Sequence, residues 1–405
     1  MQHYIRREIE EIVIQSSKQF PAVALTGPRQ SGKTTLFQHL FKNTHQFVTF
    51  DDPLNRERAL TDPQLFLDSY GAYVILDEIQ YVPELLSYIK IAIDQERQKN
   101  GRFLLTGSQQ FHLIKDLGDT LAGRIALLNL LPFDINEKQR SETIGDLLRD
   151  SKTCFSHACL NGSFPDVVLQ PDINVELWYG SYLQTYLERD LRNLANVGDL
   201  RNFQRFIQLL AARCAQILNL TGFANDLGVS VNTIKRWISI LEASQIIFLL
   251  SPYYRNLGKR VLKNPKVYFL DVGLVCYLMG IQNEKHLLNG PMAGQLFENF
   301  VIQEVIKLHY NNGKRTNIYY LRTHNQLEID LIIEKYPEIY PIEIKLTKTM
   351  NTGMTKSLER FVKLFPALAI PTGTIVSLTD ETIPLSPLVT ALPLESFLNQ
   401  LKDLI

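Results

Sequence analysis

Three groups of residues in this 405-residue chain have types and spacing suited to chemistry. The first is Gly27-Pro28-Arg29-Gln30-Ser31-Gly32-Lys33-Thr34-Thr35, a GxxxxGK[ST] pattern set between an apolar run and a segment able to start a helix. Gly27 and Gly32 allow backbone angles that other residues avoid, so N–H groups can turn inward around an anion. Lys33 brings a positive charge for the β- and γ-phosphates of a nucleotide, and Thr34 brings a hydroxyl for Mg²⁺. The following helix adds its positive N-terminal end. ATP and Mg²⁺ are the ligands this stretch predicts.

The second group stands where apolar runs end. Tyr73–Leu76 delivers Asp77 and Glu78. Asp77 suits Mg²⁺ held through its water shell, and Glu78 suits orienting or deprotonating the attacking water. The run ending in Thr106 and Ser108 offers hydroxyls that could sense a γ-phosphate. Arg124 precedes another run, where a guanidinium could reach a phosphate in the same chain or in a neighbouring copy. The third group is Asp330 with Glu343-x-Lys345. Residues two apart on a strand share a face, and a hairpin partner can set Asp330 beside them. Two carboxylates can then hold a divalent metal, with Lys345 positioning or activating water and Glu298 supporting from a helix around 295–308.

Taken in order, GPRQSGKTTL, FDDP, LDEIQ, LLTGSQQF and LAGRIALLNLLPF resemble the AAA-like ATPases of bacteria and archaea whose chains end in a poorly characterised domain with a nuclease-like core. The resemblance runs from about residue 20 to residue 350. It implies ATP hydrolysis and a phosphate-contacting role for Arg124. It also aligns Asp51 and Asp52 with an acidic pair of that family, whose ligand the residues do not reveal. Asp330, Glu343 and Lys345 resemble the PD-(D/E)xK nuclease motif.

These groups need elements to position them. Strands are expected at Ala22–Thr26, Phe47–Asp51, Tyr73–Leu76, Phe103–Thr106 and Ile125–Leu130, with helices between most of them, notably Glu84–Gln98. That alternation predicts a parallel sheet with ligands at its carboxyl edge. The fold class is α/β in three parts. Residues 1–150 form a P-loop ATPase domain, 151–285 a helical linker and winged helix-turn-helix, and 286–405 a restriction-endonuclease-like α/β domain.

In the middle part, tyrosines and leucines from Asp166 to Asn193 have the spacing of helical core packing. Residues 221–250 read as a helix-turn-helix, with Ile234, Trp237, Ile238 and Leu241 inward and Asn232, Lys235 and Arg236 outward. A two-stranded wing follows, with five basic and no acidic residues from Arg255 to Lys266. Helix and wing together suit DNA, although such modules also contact proteins.

Basic and acidic residues number 42 each, so no global charge draws the chain to nucleic acid or to an anionic surface. The balance is local: 17 basic against 20 acidic in 1–150, 14 against 10 in 151–285, and 11 against 12 in 286–405. The charged N-terminus is no signal peptide, and no apolar run reaches the roughly 18 residues of a membrane span, which predicts a cytoplasmic protein. Four scattered cysteines fit a reducing compartment, and Cys154, His157 and Cys159 read as buried helix residues. Two functions follow. One is an ATPase acting on DNA, with metal-dependent cleavage by the last domain and, if Arg124 acts across subunits, a homo-oligomer. The other is a nucleotide-dependent switch or scaffold that binds DNA or protein without cutting.

Overall fold

The computed structural model describes residues 4–107, 120–170, 172–187, 200–253, 264–323 and 326–405. Short apolar runs become strands β1 (Ala22–Thr26), β2 (Gln46–Thr49), β3 (Val74–Asp77), β4 (Phe103–Gly107) and β5 (Ile125–Asn129). They pair in parallel in the order β2-β3-β4-β1-β5. Strand β1 is buried along its whole length, as an interior strand that is apolar up to Thr26 should be. Its side chains alternate between two cores. Ala22 and Ala24 pack among residues of helices α3 (Pro53–Thr61), α4 (Pro63–Ser69) and α5 (Leu85–Gln95). Val23 and Leu25 pack against α1 (Glu10–Gln19) and α2 (Lys33–Phe41).

The chain then runs through α6 (Ile135–Gln139), α7 (Ser151–Asn161), α8 (Pro165–Leu169), α9 (Val175–Tyr182) and α10 (Leu200–Ala212). Tyr179 and Tyr182 are buried around Phe164, the packing role their spacing suggests. Cys154 and Cys159 are buried on α7. Gly228, at φ +67°, ends helix α11 (Leu220–Leu227) in the left-handed conformation. Ser230 then accepts from Thr233 N–H and caps α12 (Val231–Ala243). Ile234, Trp237, Ile238 and Leu241 are buried, while Asn232, Lys235 and Arg236 are exposed. Strands β6 (Ile247–Leu250) and β7 (Lys266–Phe269) pair antiparallel. Arg255, Lys259, Arg260 and Lys263 of the expected wing lie outside the described residues.

Helices α13 (Val272–Leu278) and α14 (Glu284–Asn289) lead to α15 (Ala293–Asn311), which is buried on nearly every side. It lies between the middle helices and a six-stranded mixed sheet. The strands are β8 (Ile318–Arg322), β9 (Glu328–Lys335), β10 (Glu338–Lys345), β11 (Gly373–Ser377), β12 (Ile383–Ser386) and β13 (Val389–Pro393). Their order is β12-β13-β11-β10-β9-β8. Helices α16 (Lys356–Leu364) and α17 (Leu394–Leu404) complete this part. Phe297 and Phe300 of α15 pack against Phe155 of α7, edge-on and tilted, so one apolar core runs across the expected boundary near residue 285.

Candidate active site

The loop between β1 and α2 has the backbone its glycines predict. Gly27 stands at φ +157°, Gln30 at +61° and Gly32 at +93°. A Cβ on Gly27 would fall 2.1 Å from the Leu130 carbonyl oxygen, so no other residue fits there. Lys33 is buried, and its Nζ donates to the carbonyls of Gly27 at 3.0 Å and Pro28 at 2.8 Å. The ammonium group thus closes the loop where an anion's negative oxygens would otherwise sit. Ser31 Oγ is buried and meets no hydrogen-bond partner among the described residues, which marks a loop with donor capacity to spare.

Asp77, at the carboxyl end of β3, is 5% exposed and collects hydroxyls from three elements. Thr34 donates to its Oδ1 at 2.6 Å, Thr106 to the same oxygen at 2.5 Å, and Thr49 to Oδ2 at 3.1 Å. The Asp77 carboxylate and the loop threonine are therefore held together, two oxygen groups of the kind that Mg²⁺ takes alongside water. Thr106 also accepts from Glu78 N–H at 3.2 Å. Glu78 adopts φ +56°, a left-handed conformation uncommon for a side-chain-bearing residue and often found at functional sites. Thr49 joins the site without a sequence signal, because it ends β2 with no motif of its own, whereas Asp51 is one of the acidic pair that the resemblance aligns. The Asp51 carboxyl is raised above its usual range by partial desolvation and then by the negative charges of Glu78 and Asp77. Asp52 serves the helix instead, its carboxylate accepting from Leu54 N–H to cap α3. A cavity of about 270 Å³ opens beside the loop, lined by Tyr4, Ile5, Gly32, Thr35, Pro165 and Leu169 among others. Ser108 lies outside the described residues.

Arg124 requires a correction. Its carbonyl accepts from Ala22 N–H, at the amino end of β1, whereas the phosphate loop leaves the carboxyl end. Five strand residues at about 3.3 Å each put the two ends about 16 Å apart. Its guanidinium grips Asp94 through two bonds of 2.8 and 3.0 Å. Arg124 cannot contact a phosphate in its own chain.

The second cluster gathers at the start of β9 and the end of β10. Lys345 Nζ lies 2.5 Å from Glu343 Oε2 and 3.5 Å from Asp330 Oδ2, so these three converge as their spacing predicts. Ile344 N–H also donates to Asp330 Oδ2 at 2.9 Å. Glu298 faces a different partner. Its Oε1 accepts from Lys266 Nζ at 3.0 Å and from the Tyr268 hydroxyl at 2.6 Å. Lys266 lies 2.9 Å from Glu328 and 4.0 Å from Asp330 as well. By position it belongs to the basic wing, but at 3% exposure, locked among carboxylates, it cannot meet a DNA phosphate. Burial opposes its charge, yet Glu298, Asp330 and Glu328 outweigh that and hold it above its ordinary value. Burial pushes Glu343 up to about 8, with Asp330 adding to the shift against Lys345. Among the described residues, no group of three or more His, Cys, Asp or Glu side chains is arranged to hold a metal ion.

Residues 19–138 match the family described as AAA domain, while 153–285 and 293–397 match two domains of unknown function, DUF8612 and DUF4143. Over 383 residues the chain is 30% identical to the uncharacterized proteins Rv2008c of Mycobacterium tuberculosis and Mb2031c of Mycobacterium bovis, covering 94% of this chain and 81% of each relative. The chain belongs to their family. In this chain the AAA domain, a P-loop ATPase domain, stands at the start and the DUF4143 domain at the end. Among solved structures, the Walker-type ATPase PABY2304 of Pyrococcus abyssi is 16% identical, with 67% of this chain and 95% of that one covered at a TM-score of 0.45. The RuvB Holliday junction branch migration motor of Thermotoga maritima is 14% identical over 60% and 89%, at a TM-score of 0.30. Among the described residues, no helix is long and apolar enough to cross a membrane.

Proposed function

We propose that this AAA-family protein binds ATP with Mg²⁺ at Gly27–Thr34 and hydrolyses it. The observation that carries this reading is the meeting of Thr34, Asp77 and Thr106 at the carboxyl ends of adjacent strands, beside a loop closed by Lys33. Bound Mg²⁺ would supply charge neutralisation of the β- and γ-phosphates. Thr34 and Asp77 are the residues to hold it. Lys33 exchanges the carbonyls of Gly27 and Pro28 for phosphate oxygens, a swap of neutral for charged acceptors that favours the nucleotide. Glu78 orients the attacking water, and Thr106, bonded to both Asp77 and the Glu78 amide, registers the γ-phosphate. The cavity flanked by Tyr4, Ile5, Pro165 and Leu169 has the apolar walls a nucleobase needs. Equilibrium binding of a fluorescent ATP analogue tests the site. Lys33→Ala should abolish binding, and unchanged affinity in that variant would overturn the reading.

For the other half we infer a switch that binds without cutting, with DNA as the partner. Exposed Asn232, Lys235 and Arg236 on the capped helix α12 support nucleic acid as the ligand. The cluster of Glu298, Asp330 and Glu343 already holds two ammonium groups, Lys266 and Lys345, against its carboxylates where a divalent cation would have to bind, which supports binding without cleavage. A nuclease assay with Mg²⁺ or Mn²⁺ on single- and double-stranded DNA tests this: no cleavage is expected, and cleavage lost on Asp330→Asn would contradict it. Arg124 acts on the nucleotide of a neighbouring copy.

A further inference from the structure

We propose that Arg7, near the start of the chain, is the positioning residue of the phosphate-binding loop and sets its affinity for nucleotide. The inference rests on the ATP reading of Gly27–Thr34. Arg7 is 4% exposed, yet it lies outside every motif the loop is known by. Its guanidinium bonds in three directions. Nη1 donates to the Ser31 carbonyl of the loop at 2.8 Å, and Nη2 to the Leu131 carbonyl beyond β5 at 2.7 Å. Nε donates to the fully buried carboxylate of Glu137 at 2.9 Å. The guanidinium also lies over the Phe133 ring, 4.7 Å from its centre.

The geometry serves the loop because Ser31 precedes Gly32, the residue whose positive φ turns the chain into α2. Holding the Ser31 carbonyl fixes the peptide that joins Ser31 to Gly32, and with it the course of the loop whose N–H groups would face an anion. Arg7 is itself held. Its N–H donates to Glu10 Oε1 at 2.8 Å, and Glu8 N–H donates to Glu137 Oε1 at 2.8 Å. Only a planar fork with several donors can serve two carbonyls and a carboxylate at once; a lysine ammonium could keep the ion pair but not this pattern.

The test uses the full chain, fluorescent ADP binding and steady-state ATP turnover. Arg7→Lys preserves the buried charge and should still weaken nucleotide binding about tenfold or more, the effect of one lost hydrogen bond to a charged group. KM for ATP should rise while kcat changes less than KM does. Arg7→Met with Glu137→Gln removes both partners of the buried pair, which restores much of the stability lost when one partner is removed alone. If that double variant regains its unfolding midpoint but stays weak for nucleotide, positioning is the role. If affinity returns with stability, Arg7 only braces the fold and the proposal falls. A wild-type measurement is independent of both variants: ADP should slow amide exchange at Arg7 and Glu8 together with the loop. Protection of the loop alone would overturn the proposal. A wild-type chain that binds no nucleotide would sink the ATP reading itself, a distinct result.

Discussion

Replacing Lys266 by Met keeps a long unbranched side chain but removes the ammonium group that Glu298, Glu328 and Asp330 share. At 3% exposure, the site offers little water to take its place. Deleting one partner of a buried ion pair costs about 3–5 kcal/mol. Proton uptake by Glu298 limits that loss. Burial already pushes this carboxyl up to about 7, against the pull of Lys266, and losing the lysine raises it further. A carboxyl raised on folding contributes stability that is complete below its ordinary value of 4.5 and is lost as pH rises through the folded value. At pH 5.5, therefore, the variant carries a neutral Glu298 and should lie within about 1 kcal/mol of the parent, well short of the full ion-pair loss. At pH 8.5 the full deficit of about 3–5 kcal/mol should appear, a drop on the order of 1 M in the urea midpoint. Trp178 and Trp237 report unfolding by fluorescence, since both pack on the core that includes α15. An equal loss at both pH values, or none at pH 8.5, would refute the resident-cation account.

Thr106→Val removes a hydroxyl from Asp77 and should lower kcat for ATP about tenfold while leaving nucleotide affinity within a factor of about two, the loss of one hydrogen bond to a charged group; a larger change in affinity than in kcat would contradict the sensor role. Mixing Arg124→Ala chains with Lys33→Ala chains tests action between copies: an arginine finger contributes about 10³–10⁵ in rate, so turnover should recover in the mixture if it works in trans. No recovery in a demonstrated oligomer would assign Arg124 to its bond with Asp94 alone. On α12, Lys235→Ala with Arg236→Ala should lower the salt slope of DNA binding by about 1.8, at about 0.9 per phosphate contact. An unchanged slope, measured by fluorescence anisotropy, would favour a protein partner.

The proposed ATP site is legible in the sequence because its chemistry is local. Gly27 to Thr34 sits on one turn, and Asp77 and Thr106 follow apolar runs that only a buried parallel sheet accommodates. Arg124 misleads because the resemblance gives it a phosphate role, whereas a residue just before a strand of a parallel sheet stands at the amino edge, opposite the loop. Lys266 shows a different limit. Five basic residues in a stretch of twelve look like a solvated wing, and nothing local reveals that one of them meets Glu298, 32 positions later, and Glu328. The Arg7–Glu137 pair spans 130 positions and has no motif. Asp330, Glu343 and Lys345 are readable because a two-residue strand period and one hairpin bring them together.

The proposed hydrolysis at this site depends most directly on a division of labour between Asp77 and Glu78. Glu78→Gln should bind ATP with Mg²⁺ at close to parental affinity and retain it unhydrolysed, while the parent chain releases inorganic phosphate under the same conditions. Quench-flow of bound radiolabelled ATP measures both quantities in one experiment. Intact ATP on the variant is the predicted result, and phosphate formed by Glu78→Gln at the parental rate would contradict it.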